Sequence, residues 1–264
     1  MDPIQAIVLG FIQGVTEWLP ISSTGHLRIA EQFLGLMTLP LLFDVTLHVG
    51  TLIIILLFFR KDIKLVLIAL TKGDFKSENG KLIPLIIVGT VPTALIGVVF
   101  FISSAIETYF SSFLPIAGAF ITCGVVLYFS RIGKGEKENI TYVEALAIGT
   151  AQGIALIPGL SRSGLTIATA LILGVRREKA FKFSFLLSVP AIIGALGLTF
   201  YTQHEALVLA GVGWTETLAG IAVSMVVGYF ALSLLRKIIA NKKLYFFAFY
   251  CWLLSILLIA LSLS

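Results

Sequence analysis

The stretches 82–103, 113–130 and 244–263 run for about a membrane thickness each without one Asp, Glu, Lys or Arg. That feature leaves few folds open. In hydrocarbon every backbone N–H and C=O must be paired within the protein, and a run of about 20 apolar residues achieves this as a helix. The runs 41–59, 182–200 and 216–235 are nearly as apolar. Of 264 residues, 58% are hydrophobic and only 12% charged, where soluble domains carry about a quarter charged. The expected fold is an all-α polytopic membrane protein, one membrane domain over 1–264, with the bilayer as its surroundings and no nucleic-acid partner. The Met1-Asp2 start lacks the basic opening of a cleavable leader. Cys123 and Cys251 lie in apolar runs and read as small packing residues.

Against this background two polar strings stand out. One is Gln13-Gly14-Val15-Thr16-Glu17-Trp18-Leu19-Pro20-Ile21-Ser22-Ser23-Thr24-Gly25-His26, and the other is Gln152-Gly153-Ile154-Ala155-Leu156-Ile157-Pro158-Gly159-Leu160-Ser161-Arg162-Ser163-Gly164-Leu165-Thr166. Their lead-ins also correspond: Ala6, Gly10, Gln13 and Gly14 recur at one constant offset as Ala145, Gly149, Gln152 and Gly153. Polar strings are costly in lipid unless they line a cavity or a site. Segments 3–19 and 24–36, and likewise 141–157 and 164–174, are too short or too broken for simple spans. Each pair reads as a re-entrant hairpin of half-helices ended by Pro20 or Pro158.

A hairpin followed by three spans, twice over, makes two halves, 1–131 and 140–264, of opposite orientation. This is an inverted repeat with broken helices meeting near mid-membrane. The charges test it. If each hairpin returns to its side of entry, every Lys and Arg except Arg28 and Arg162 falls on one side. By the positive-inside rule that side is the cytoplasm, both termini face outward, and the site opens outward in the cell membrane. The 60–81 segment reads as a basic cytoplasmic loop. Gly10, Gly14, Gly149 and Gly153 read as close helix-packing positions.

Arg162, between two serines at a hairpin tip, is the sharpest candidate. A snorkelling arginine is the bland alternative, but an intramembrane arginine suits phosphate or carboxylate oxygens. Ser22, Ser23, Thr24, Ser161, Ser163 and Thr166 open the descending half-helices. They read as N-caps and, with Gly25 and Gly164, as walls of an anion cradle where two helix N-termini converge. Glu17 reads either as a structural partner of Arg162, or as a general base or cation ligand. Gln13, one turn earlier, shares its face. His26 is weighed evenly between a satisfied structural group and acid–base work. His48 reads as packing, His204 as an exposed loop residue and Asp44 as a helix cap.

At these two strings the chain resembles the integral-membrane undecaprenyl-pyrophosphate (polyprenyl-diphosphate) phosphatases linked to bacitracin resistance. The likeness covers essentially the whole chain. The stretch from Gly14 to His26 matches the family's glutamate-rich motif, and that from Pro158 to Thr166 its Pro-Gly-x-Ser-Arg-Ser-x-x-Thr motif. Where the family places Glu or Gln ahead of the glutamate, this chain has Gln13. The resemblance implies removal of the terminal phosphate from a polyprenyl pyrophosphate lipid and recycling of the monophosphate carrier used in cell-wall synthesis. It also implies a divalent cation (Mg²⁺ or Ca²⁺), held by Glu17 and Gln13 or brought in on the substrate.

Carried over residue by residue, Arg162 grips the pyrophosphate while Ser22, Thr24, Gly25, Ser161, Ser163 and Thr166 complete the cradle. Ser23 is the candidate nucleophile, His26 takes its proton, and Glu17 orients His26, binds the cation or activates water. A lipid-phosphate flippase or anion transporter using the same site without hydrolysis is the rival, since inverted repeats with broken helices also build transporters. Oligomeric state, a dimer included, and prenyl chain length are left open by the sequence.

Overall fold

The structure is a computed structural model that describes residues 1–36, 41–209 and 213–263, together with helical backbone whose side chains at 41, 42, 107 and 203–209 lie outside the description. Its order is α1 (Pro3–Trp18), α2 (Ser23–Phe33), α3 (Leu41–Phe58), α4 (Arg60–Thr71), α5 (Leu82–Ser103), α6 (Ala105–Tyr109), α7 (Phe113–Phe129), α8 (Tyr142–Ile154), α9 (Arg162–Ile172), α10 (Arg177–Leu209), α11 (Trp214–Ala240) and α12 (Phe246–Leu263). Among the described residues there is no strand, only a lone bridge between Lys137 and Val175. Four segments, Leu82–Ser103, Arg177–Thr202, Trp214–Ala240 and Phe246–Leu263, are long and apolar enough to cross a membrane, and the apolar helices Phe43–Phe58 and Phe113–Phe129 are shorter. Ile102, Leu253 and Phe230 on these helices are 76%, 69% and 68% exposed. Large apolar side chains turned outward on several spans are at home against lipid, and the chain is a multi-pass membrane protein.

The two hairpins are built by the same local rules. Asp2 caps α1 in a capping box with Gln5, with Pro3 at the first helical position. Thr141 caps α8 in a capping box with Glu144. These boxes satisfy two amides apiece at each start. Leu19, extended at φ −65°, ψ 144°, ends α1 because the residue before a proline is pushed out of the helical region. Ser22 then caps α2 through Gly25 N–H, and Ser161 caps α9 through Gly164 N–H.

Packing of the hairpins is crossed. α1 lies along α11, and α8 lies along α5. A Cβ on Gly10 would sit on the Gly220 backbone, and one on Gly149 would sit on the Gly89 backbone. Such small-residue contacts let helix backbones touch where no hydrophobic effect drives association. Thr93 Oγ1 adds a bond to Gly149 O (2.9 Å), and Ser224 Oγ one to Leu47 O (3.2 Å). α7 pairs with α12 through Ser255 Oγ to Ala117 O (2.9 Å), while α3 crosses α10 and α11.

Three expectations change. The 60–81 segment is no plain loop: the helix α4 occupies its first half, because Ile63, Val66, Leu67 and Leu70 recur at helical spacing after Arg60 and Lys61. His204 falls within the helical backbone of α10, not in a loop; its side chain lies outside the described residues. Asp44 sits inside the first turn of α3, buried.

Candidate active site

The tips of the two hairpins interlock. Ser22 Oγ accepts Gly25 N–H (3.3 Å) within its own hairpin and Gly159 N–H (3.1 Å) from the other. Ser163 Oγ donates to Trp18 O (2.9 Å) in the opposite direction. Ser22 holds φ +68°, a region costly for a residue with a side chain. The hydroxyl that bridges both tips is what holds it there. Amides at the two helix starts are left over: those of Ser23, Thr24, Arg162 and Ser163 meet no acceptor among the described residues. Two positive helix ends therefore converge on one point.

Glu17 stands at that point, at the end of α1 and 6% exposed. Its Oε1 is in contact with Arg162 Nη2. Its Oε2 accepts from Ser23 Oγ (2.6 Å) and Gln13 Nε2 (3.2 Å). His48 Nε2 lies 3.4 Å from the same Oε2. His48 Nδ1 is 2.8 Å from Asp44 O, which can only accept, so the nitrogen facing Glu17 is the one free to take or give a proton.

A cavity of about 160 Å³ opens beside this cluster. One part is polar, with Thr16, Glu17, Ser23, Thr24, His48, Thr93, Gln152, Ser161 and Arg162; the rest is apolar, with Val45, Leu156, Leu160, Ile192 and Leu196 among its walls. Gln152 is held in one orientation. Its Nε2 donates to Thr93 Oγ1 (3.2 Å) and Leu187 O (3.4 Å), so its Oε1 is the atom left over, buried and without a partner.

The sequence-derived set is thus partly assembled and partly dispersed. Glu17, Ser23, Thr24, Ser161 and Arg162 meet at the cavity. Ser22 is spent on the tip junction, and Gly25 packs against the Phe120 ring. Ser163 and Thr166 line a small separate recess behind Arg162, with Thr166 Oγ1 donating to Arg162 O (2.8 Å).

His26 does not face Arg162. Its Nδ1 is 2.8 Å from Ser22 O and its Nε2 is 2.7 Å from Tyr250 OH, with the ring stacked on Tyr250. One ring nitrogen is filled by its own helix cap and the other from α12, as in a satisfied structural histidine. The sequence reading left His48, Thr93 and Gln152 out of the site. An available signal for His48 was a lone titratable ring within an apolar span, a placement that ordinarily marks function.

The donor set also speaks to a bound metal. Among the described residues no three of His, Cys, Asp and Glu group closely enough to hold one. Glu17, the one carboxylate at the cavity among the described residues, already carries a guanidinium, a hydroxyl and an amide. Gln13 Oε1 is buried and unpaired, a lone neutral oxygen. A divalent cation held by protein carboxylates does not fit these residues, since hard cations gather several oxygen ligands with enough negative charge.

Fold and site together define a multi-pass helical membrane protein with an anion-receptive site between two half-helix hairpins. The chain belongs to the BacA family, whose model, described as bacitracin resistance protein BacA, matches residues 6–257. Similar proteins named undecaprenyl-diphosphatase include one from Carboxydothermus hydrogenoformans, 41% identical over 99% of this chain and 98% of its own. Another, from Methanosphaera stadtmanae, is 41% identical over 99% of both chains. A third, from Treponema denticola, is 42% identical over 95% of this chain and 94% of its own.

Proposed function

We propose that this protein hydrolyses the terminal phosphate of undecaprenyl pyrophosphate, or a related polyprenyl pyrophosphate, to the monophosphate carrier lipid and phosphate. The observation that carries the reading is the divided cavity. One part offers Arg162, free helix-start amides and hydroxyls, which suit a pyrophosphate; the other is apolar and suits the start of a prenyl tail. Names of full-length relatives agree.

In this mechanism the pyrophosphate enters between the hairpin tips and takes Arg162 from Glu17. Ser23 Oγ attacks the terminal phosphorus, and its proton passes to Glu17 Oε2, already its hydrogen-bond acceptor at 2.6 Å. The bond from the terminal phosphorus to the bridging oxygen breaks, and the lipid monophosphate leaves. Arg162 and the amides of Ser23, Thr24 and Arg162 neutralise charge on the transferring group, which is most of what phosphoryl transfer needs. Water then cleaves the phosphoserine, regenerating Ser23 and releasing phosphate. Gln152 Oε1, an acceptor only, orients that water, and His48 Nε2 exchanges protons with Glu17. His48 thus takes the proton-handling role first considered for His26. A divalent cation, where used, arrives on the pyrophosphate.

The crossed packing of α1 on α11 and α8 on α5 supports an inverted repeat of two hairpin-plus-three-span halves. With it goes the orientation in which the basic loops are cytoplasmic, both termini lie outside and the site opens outward. The same crossing favours one rival, a lipid-phosphate flippase that binds without cleaving. The Ser23–Glu17 pair distinguishes them, because transport has no use for an activated hydroxyl.

The test is phosphate release by detergent-purified protein from a long-chain polyprenyl pyrophosphate, with Arg162→Ala and Ser23→Ala in parallel. Release that both substitutions abolish supports the phosphatase. Folded wild-type protein that releases nothing, with or without Mg²⁺ or Ca²⁺, overturns it in favour of the flippase.

A further inference from the structure

A second cavity, of about 350 Å³, lies at the basic end of the bundle, where the end of α3, the start of α4, the start of α10 and the end of α11 come together. Its floor is aromatic. Phe58, Phe59 and Phe181 pack there with centroid separations of 5.1 Å (Phe58–Phe59) and 5.6 Å (Phe59–Phe181). Its rim is cationic and unevenly neutralised. Lys182 is held by Asp62 (2.6 Å) and Asn79 (3.2 Å), and Glu178 is drawn to Arg176 (3.4 Å). Arg177 and Arg236 line the cavity with no ion-pair partner among the described residues.

We infer that this cavity binds the phosphate headgroup of an anionic membrane lipid. Arg177 and Arg236, unpaired and from different helices, carry fork-shaped donors suited to phosphate oxygens, the Arg177 guanidinium resting beside Gly135 at the edge of the cavity. They stand where membrane spans end, the depth at which headgroups lie. From the floor, aromatic surface continues along the bundle: Phe58 meets Tyr229 at 6.4 Å, and Tyr229 and Phe230 are 49% and 68% exposed on α11. An acyl chain laid along that face buries apolar surface while its phosphate meets the two arginines. A free phosphate ion would use the rim and leave the aromatic face without a role. Basic pockets between membrane helices recognise anionic lipids by this combination. This site is separate from the catalytic cavity and does not depend on the hydrolase reading.

The experiment is native mass spectrometry of the full chain in detergent with phosphatidylglycerol, phosphatidylcholine or inorganic phosphate. It compares wild type, the Arg177→Gln/Arg236→Gln double variant and the charge-keeping Arg177→Lys/Arg236→Lys variant. Expected is preferential retention of phosphatidylglycerol by wild type, about tenfold weaker for each guanidinium lost, with the lysine variant between. A photoactivatable phosphatidylglycerol should label peptides around Phe181 and Tyr229. Equal retention of phosphatidylcholine, or retention unchanged in the glutamine variant, overturns the proposal. Tight binding of inorganic phosphate that displaces the lipid overturns the lipid assignment. A single symmetric size-exclusion peak and an unchanged thermal unfolding midpoint in detergent serve as the folding control for both variants.

Discussion

Ser23 and Arg162 hold the same place in the two hairpins: each is the first helical residue after a serine cap, Ser22 or Ser161. Glu17 touches both. A position that is chemically symmetric in backbone terms has thus been given a hydroxyl on one side and a guanidinium on the other. Because helix starts converge at the tips, both side chains reach the same point in space, and a nucleophile and its charge-stabilising partner face one another without any long-range insertion.

Ser23→Ala should lower kcat by at least about 10³-fold while leaving lipid pyrophosphate binding within a few-fold, since the loss is confined to the transferring step. Rapid acid quench of wild type during turnover should trap a phosphorylated Ser23, detectable by peptide mass spectrometry. Near-normal turnover in the alanine variant, or no phosphopeptide under conditions where turnover is fast, would point to direct attack by water.

The two histidines should separate cleanly. His48→Gln removes the proton exchanged with Glu17 and should lower kcat by about 10²–10⁴-fold, the usual contribution of a positioned acid–base group. His26→Gln breaks bonds to Ser22 O and Tyr250 OH, about 0.5–1.5 kcal/mol each. It should lower thermal stability and activity modestly. Tyr250→Phe should reproduce part of the His26 effect on stability, because it removes one of the two bonds from the other end. The reverse order of severity, His26 above His48, would return His26 to the chemistry.

Much of this was legible from the sequence, and the gaps have a physical pattern. Apolar runs, prolines and serine caps are local signals, and the helices other than α4 and α6 follow them closely. Which residues of the strings meet was half legible. Glu17, Ser23 and Arg162 lie at or beside helix ends, whose direction the motif itself sets. Ser22 and Ser163 lie just as close, yet their hydroxyls bind the opposite tip, which no spacing within one string reveals. His48 and Gln152 stand in the sequence without a site assigned to them for a related reason: their placement depends on how α3 and α8 lie against the hairpin tips. His26 lies three residues from Ser23 in sequence, but its ring turns toward α12, a direction that sequence proximity does not reveal. The α4 helix went unread because a high density of Lys and Arg masked its helical period.

The close approaches at Gly10 and Gly149 make stability predictions that are independent of chemistry. Gly149→Leu would drive a side chain into the Gly89 backbone, and Gly10→Leu into that of Gly220. Backbone cannot yield as a side-chain tip can, so each should cost about 1–3 kcal/mol or more and reduce folded yield in detergent. Gly118→Leu, where nothing lies within 4 Å, is the control and should express normally. Size-exclusion profiles and thermal unfolding measure this. Equal behaviour of all three variants would mean that α1–α11 and α8–α5 are not packed this closely.

The cation prediction follows from the donor set. Among the described residues only Glu17 supplies a carboxylate at the cavity, and Arg162 is bound to it. A divalent ion placed there on the free protein would meet a guanidinium before it met a second anionic ligand. A pyrophosphate reverses this by bringing several negative oxygens and drawing Arg162 toward itself, and Mg²⁺ favours phosphate oxygens over dedicated protein cages. Chelator-treated protein should therefore bind Mg²⁺ or Ca²⁺ no more tightly than about millimolar by calorimetry. Addition of a non-hydrolysable polyprenyl pyrophosphate analogue should create the binding. Turnover should follow the concentration of the cation–lipid complex rather than that of free cation. Gln13→Leu should weaken activity through the lost bond to Glu17 while leaving the half-saturating cation concentration where it was. Micromolar cation affinity in the free protein, lost on Gln13→Leu, would establish a protein-held metal at Gln13 and Glu17 instead.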